Sequence, residues 1–224
     1  MLEIMEKINT LNIKIDKAFS DFKNKQLNSL QEINNKLEKD NILLKGDINE
    51  YQKLYVQSLI DSGSLEYASS KVIINSDWIP NDFLLRQLTL GQGIYSGPTA
   101  LYLWGLSDEF PYTIYMTFKM GYKLPRTYTE WASNVSPRQV NKQYLKNQIS
   151  ELEVEGTEYR ISLFSMEKTL VEILREPYVL DTNLVNTAYK RYLKIVNKDT
   201  NKLLRIAKEM RSLNKVVNRL EPIL

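Results

Sequence analysis

The chain has 224 residues, 43% hydrophobic and 25% charged, with a formal net charge of +3; this balance predicts a folded protein of one large or two small domains and excludes predominant disorder. It contains neither cysteine nor histidine, which excludes disulfides, thiolate and Ser-His-Asp nucleophiles, and zinc sites built on either residue. No apolar run approaches the roughly 20 residues of a spanning helix, and the opening Met1-Leu-Glu-Ile-Met-Glu-Lys lacks a secretory pattern, so a cytoplasmic protein is expected.

In chain order, Ile4, Ile8, Leu11, Ile15, Ala18 and Phe22 recur at alternating spacings of four and three, a heptad-like seam. It reads as a helix packed on its own domain, with pairing of two chains through residues 4–22 as the alternative. The seam breaks near Asn24, and a second helix reads from Gln26 to Lys39 with Leu27, Leu30, Ile33 and Leu37 inward and Ser29 and Asn34 outward. After Lys45-Gly46-Asp47 a helix from Ile48 to Asp61 sets Ile48, Tyr51, Tyr55 and Leu59 on one face and Glu50, Lys53 and Gln57 on the other. Gly63 then stops it. Leu65 to Asn75 reads as a hairpin with Ser69-Ser70 at its tip and Lys71-Val-Ile-Ile74 returning. Helix, helix and hairpin in this order suggest a winged helix.

A linker at Asn75-Ser-Asp-Trp-Ile-Pro80 precedes a helix containing Phe83, Leu84, Leu85 and Leu88, then a helix from Ser96 to Leu106 with Pro98 in its first turn and Gly105 at its end. Tyr112–Phe118 is β-rich, and Leu152–Leu163 alternates around Gly156 like a hairpin. From Met166 onward the pattern is helical, with Asp181, Asp199 and Ser212 placed as N-caps. The fold class expected is α+β: an N-terminal winged helix-turn-helix, then a mixed α/β domain with a small sheet and a C-terminal helical bundle. Its divisions are a helical extension over residues 1–24, a winged helix over 25–80 and a second domain over 81–224.

Two features point to an anionic partner. Asn49, Lys53 and Gln57 on the expected recognition helix suit base edges and phosphate, and Ser69, Ser70 and Lys71 at the wing suit backbone contacts. Between Tyr189 and Leu220 the bases Lys190, Arg191, Lys194, Lys198, Lys202, Arg205, Lys208, Arg211, Lys215 and Arg219 face only Asp199 and Glu209, a pattern that supplies affinity for phosphate without sequence choice. Glu50 and Asp61 on the same outer helix face oppose it. Gly91-Gln-Gly93 with Gly97 fails the dinucleotide-loop spacing. Glu151, Glu153 and Glu155 alternate as an exposed strand edge rather than a magnesium site. Tyr102, Trp104, Tyr112 and Tyr115 read as core. No catalytic residues, metal ligands or cofactor site emerge, and a protein without enzymatic activity is expected.

Leu65-Glu-Tyr67 with Lys71–Ile74, the run Ser96-Gly-Pro-Thr-Ala-Leu-Tyr-Leu-Trp-Gly-Leu106, and Ser165-Met-Glu-Lys-Thr-Leu-Val-Glu-Ile-Leu-Arg175 together resemble the AbiEi family of antitoxins from about Gly63 to Leu220. These are chiefly packing motifs, more specific for fold than for activity. The resemblance implies the antitoxin of a type IV toxin–antitoxin pair in phage defence. Its winged helix would bind operator DNA and repress its own operon, and its second domain would counteract a nucleotidyltransferase-like toxin without a stable complex. The alternative is a non-enzymatic dimeric interaction protein whose basic C-terminal helices bind RNA, DNA or a protein without operator specificity.

Overall fold

A computed structural model of the chain describes residues 2–125, 129–146, 148–178 and 180–223. They fall into two compact units, residues 1–81 with 154–158, and residues 82–153 with 159–224. Both combine helices with a small sheet, so the fold class is α+β.

Unit 1 opens with one helix, α1, Leu2–Lys39. The expected break near Asn24 is absent, because the helix contains neither glycine nor proline and Lys25-Gln26-Leu27 are good helix formers. The expected packing of the seam on its own domain is overturned: residues 5–28 are exposed, with Ile8, Leu11, Ile15 and Phe22 between 44% and 58% accessible. The first seam position, Ile4, lies outside the described side chains. Phe22 meets the Tyr51 ring edge-on at 5.6 Å. Beyond residue 28 the helix joins the core through Ile33, with Leu30 and Leu37 half-buried. Leu27, expected inward, is 54% exposed, and Ser29, expected outward, is buried because its hydroxyl bonds to the start of the next helix.

Strand β1, Ile42–Leu44, leads into a three-residue 3-10 turn, Lys45–Asp47, then helix α2, Glu50–Asp61, and strands β2, Leu65–Tyr67, and β3, Val72–Asn75. The sheet order is β1-β3-β2, antiparallel throughout, with Ile42 opposite Ile74 and Leu65 opposite Asn75. Gly63 at φ +79° closes α2, a conformation that disfavours any residue with a Cβ. Ile33, Leu43, Val56, Leu65 and Ile73 form the core between helices and sheet. The inward face of α2 is Gln52 and Val56, with Tyr55 and Leu59 half-buried, and Tyr51, expected inward, is 40% exposed. Residues 154–158 belong to this unit through hydrogen bonds: Asn41 Nδ2 donates to the Gly156 carbonyl at 2.7 Å, Thr157 Oγ1 to Asp40 Oδ1 at 2.7 Å and Trp78 Nε1 to the Glu155 carbonyl at 3.1 Å.

Unit 2 runs α3 (Asp82–Leu90), β4 (Ile94–Tyr95), α4 (Gly97–Leu103), β5 (Ile114–Lys119), α5 (Thr129–Ala132), β6 (Val135–Val140), α6 (Lys142–Leu145), β7 (Ile149–Glu153), β8 (Arg160–Phe164), α7 (Met166–Glu172), α8 (Thr182–Lys194), α9 (Thr200–Glu209) and α10 (Leu213–Leu220). Its five strands are ordered β6-β5-β4-β8-β7, with β4/β8 and β5/β6 parallel and the other pairs antiparallel. Strand β6 lies at the sheet edge and carries Pro137, a residue that edges tolerate because a missing N–H costs least there. Gln87 of α3 bridges to the sheet, its Nε2 donating to the Ser162 carbonyl at 2.6 Å and its Oε1 accepting from Ser162 N at 2.9 Å. The helices share one core, in which Leu101, Leu170, Tyr189, Leu203, Ile206 and Val216 are all at most 2% exposed. Asp181 and Asp199 cap α8 and α9 with their side chains as expected, whereas Ser212 stands at the start of α10 without capping it. Tyr112, read as core, is 85% exposed, while Tyr102, Trp104 and Tyr115 are half-buried. No helix among the described residues is long and apolar enough to cross a membrane.

Candidate nucleic-acid interface

The outer face of α2 and strand β2 meet at one hollow of unit 1, where Tyr67 bonds to Gln57, and a polar clamp at the start of α2 ties that helix to α1. Asn49 is the N-cap, its Oδ1 accepting from Tyr51 N at 3.0 Å and Gln52 N at 3.1 Å. Gln52 Oε1 returns the interaction by accepting from Asn49 N at 3.0 Å, a complete capping box. Ser29 of α1 extends the network: its hydroxyl accepts from Asn49 Nδ2 at 2.8 Å, and its carbonyl accepts from Gln52 Nε2 at 2.9 Å. Asn49 was expected to read bases, but its side-chain amide is engaged in this clamp, because it caps the helix instead of riding on its outer face.

Lys53 and Gln57 do lie on the exposed face. Lys53 pairs with Glu50, a contact between two exposed side chains that contributes little to stability and is readily given up to a phosphate. Gln57 Nε2 donates to Asp61 Oδ1 at 2.8 Å, while its Oε1 accepts from Tyr67 Oη at 3.4 Å. At the hairpin tip the Ser69 hydroxyl accepts from the backbone N–H groups of Lys71 and Val72, each at 3.2 Å, so Ser69 shapes the turn. Ser70 is exposed and Lys71 half-buried.

Two residues join this surface that sequence reasoning did not single out. Lys45 N donates to the Lys71 carbonyl at 2.9 Å, and the Lys45 ammonium lies 5.5 Å from the Tyr67 ring centroid. Lys45, Lys53, Gln57 and Tyr67 line one hollow of about 260 Å³ between α2 and the sheet. The signal for Lys45 was the apolar triplet Ile42-Leu43-Leu44: once that is a strand paired with β3, Leu44 lies opposite Val72 and the next residue falls beside Lys71. The result is a surface carrying three ammonium groups, one amide and one aromatic ring, with Glu50 and Asp61 at its border.

The ten basic residues of the C-terminal region divide into two sets. Four are engaged: Arg191 forms a two-pronged pair with Asp108 and holds that carboxyl below its usual range through the hydrogen bonds, Lys202 pairs with Glu167 at 2.8 Å, Lys215 donates to the Leu174 carbonyl at 3.0 Å, and Arg219 to Asn186 Oδ1 at 3.2 Å. Lys190, Lys194, Lys198, Arg205, Lys208 and Arg211 stand exposed. Arg160 pairs with both Glu151 and Glu153, as an exposed strand face should. Among the described residues no group of three or more carboxylates is placed to hold a metal ion.

Compared with known proteins, the chain matches no family model, and no curated protein matches it.

Proposed function

We propose that the chain is a non-enzymatic, cytoplasmic DNA-binding antitoxin that represses its own operon. The observation that carries the DNA reading is the order of unit 1: helix, strand, 3-10 turn, helix, hairpin, with the sheet in the order β1-β3-β2. This succession supports reading unit 1 as a winged helix whose middle helix has shrunk to the three residues Lys45–Asp47. In this reading α2 enters the major groove with Lys53 and Gln57 forward, and Lys45, Ser70 and Lys71 meet phosphate on either side. Exposed Lys and Arg of α8 and α9 add sequence-independent affinity.

The antitoxin role rests on the resemblance to the AbiEi family. Two of the runs that carry it become α4 and α7, whose Leu101, Leu170 and Val171 are fully buried in a shared core; this supports a common fold more strongly than a common activity. The partner in this reading is a co-expressed nucleotidyltransferase-like toxin, counteracted without a stable complex.

Binding of the full chain to its own upstream DNA, against scrambled DNA, tests the regulatory half. Lys53→Ala and Lys71→Ala should each weaken the specific complex, and unchanged affinity in both would remove the α2 surface from the account. A second reading is favoured by the exposed seam of α1: Ile8, Leu11 and Ile15 stand exposed at coiled-coil spacing, continued by Phe22, which is exposed apart from its edge contact with Tyr51, and a second copy of the same helix presents the matching stripe. Dimerisation through α1 is compatible with operator binding, since two-fold proteins read two half-sites.

A further inference from the structure

We propose that unit 2 binds a small phosphorylated organic molecule, of the size of a nucleotide, in the cavity bounded by β5, β6, α7 and α9. The cavity measures about 650 Å³, within the range of small-molecule sites and well beyond what a single phosphate needs. Four cations line it, Arg138 from β6, Lys168 from α7, Arg175 just after α7 and Arg211 just after α9, against the two carboxylates Glu172 and Glu209.

The charges are arranged, not merely numerous. Glu172 is 3% exposed, and its carboxylate accepts from Arg138 Nη1 at 3.1 Å and from the Gly97 backbone N–H at 3.4 Å. It therefore fixes the Arg138 guanidinium against the wall, and it also attracts Lys168 and Arg175, so the lining keeps an excess of four cations over two carboxylates. The Lys168 ammonium sits 3.3 Å from the centroid of the Phe164 ring, on the same wall. Burial, the dominant influence, lowers the pKa of that amine to about 8, with the pull of Glu172 acting the other way.

The backbone points to the same place. Among the described residues only two other than glycine adopt a positive φ, Gln148 at +61° and Arg211 at +53°, and both line this cavity. Arg211 takes this conformation as the left-handed cap of α9, with Ser212 N donating to the Ala207 carbonyl at 2.8 Å, and the turn leaves its side chain in the cavity lining. The rest of the lining suits an organic body: Met120, Ile206 and Met210 offer apolar surface, Tyr144 a ring and Asn141 an amide. A nucleic-acid backbone is the less favoured occupant, because Arg138 and Lys168 are half-buried inside a concavity whereas a duplex presents its phosphates on a convex rod.

The test is calorimetric titration of the full chain at neutral pH and low salt with inorganic phosphate, AMP, ATP and a short DNA duplex. AMP or ATP should bind with micromolar to millimolar affinity and more tightly than phosphate alone, and Lys168→Met and Arg211→Gln should each weaken the nucleotide by about ten-fold or more. Arg211 is exposed, so its substitution reports on binding even where replacement of Lys168 disturbs folding. The proposal is overturned by no heat with either nucleotide at millimolar concentration, by binding that survives both substitutions, or by phosphate alone binding as tightly as AMP. It is equally overturned if the duplex, and not the nucleotides, loses affinity in the two variants.

Discussion

Asn49→Ala separates a structural from a reading role for the residue at the centre of the candidate interface. The substitution removes an N-cap, which costs about 1 kcal/mol. It also deprives the buried Ser29 hydroxyl of its partner, and a buried polar group left unsatisfied costs about 1–3 kcal/mol. The expected loss is therefore about 2–4 kcal/mol of a total on the order of 5–15, which for a unit of this size lowers the melting temperature by roughly 10–30 °C. Asn49→Asp keeps a good cap and should recover most of it. Circular-dichroism melts of both variants, read beside their DNA affinity at a temperature where each is folded, make the assay. A melting temperature within about 2 °C of the parent, combined with lost DNA binding, would refute the clamp and return Asn49 to the readers.

Gly97→Ala should destabilise unit 2 by several kcal/mol, because the residue holds φ +51° and a Cβ would lie 2.4 Å from the Tyr178 ring; a thermal melt of the variant superimposing on the parent would contradict it. Ile15→Asp should convert a dimer to a monomer in sedimentation equilibrium at unchanged unit stability, since Ile15 is 44% exposed in the single chain; an unaltered mass would reject the α1 seam. Charge reversal at Arg205 and Lys208, both exposed, should flatten the salt dependence of DNA binding, and an unaltered slope would remove that surface from the contact. For Lys168 the folded amine has a pKa of about 8 against an ordinary 10.5, so between those values the unfolded chain binds more protons and stability rises with pH. Denaturant unfolding of the parent should therefore gain on Lys168→Met, by no more than about 3 kcal/mol, as pH rises from 8 through 10.5; a constant difference would contradict the burial of that charge.

The hairpin and the caps at Asp181 and Asp199 were legible in the sequence because each depends on a few neighbouring residues whose side chains act locally. Elements that depend on distant partners were not. β1 is three apolar residues, ambiguous until β3 pairs with it, and with it went Lys45. β6 hides behind Pro137, and Ser29 looks like a surface residue until Asn49 is brought beside it from twenty residues away. The seam of α1 was read correctly as apolar and wrongly as covered, because periodicity tells which residues share a face and not what lies against it. The charged cavity of unit 2 was illegible as a site: Arg138 comes from β6, Lys168 and Glu172 from α7 and Arg211 from the end of α9, and only the parallel β5/β6 pairing and the packing of α7 on α9 bring these three elements together.

The measurement that bears most directly on the central claim is the affinity of the purified chain for its own upstream DNA and for a scrambled duplex, across a salt series, in the parent and in Lys53→Ala and Lys71→Ala. Tighter binding to the upstream DNA is predicted, with the preference reduced in Lys53→Ala, whereas Lys71→Ala weakens both duplexes and lowers the salt slope by about one for the lost phosphate contact. Equal affinity for both duplexes, indifferent to Lys53 and Lys71, would contradict it and leave a basic surface with no operator to read.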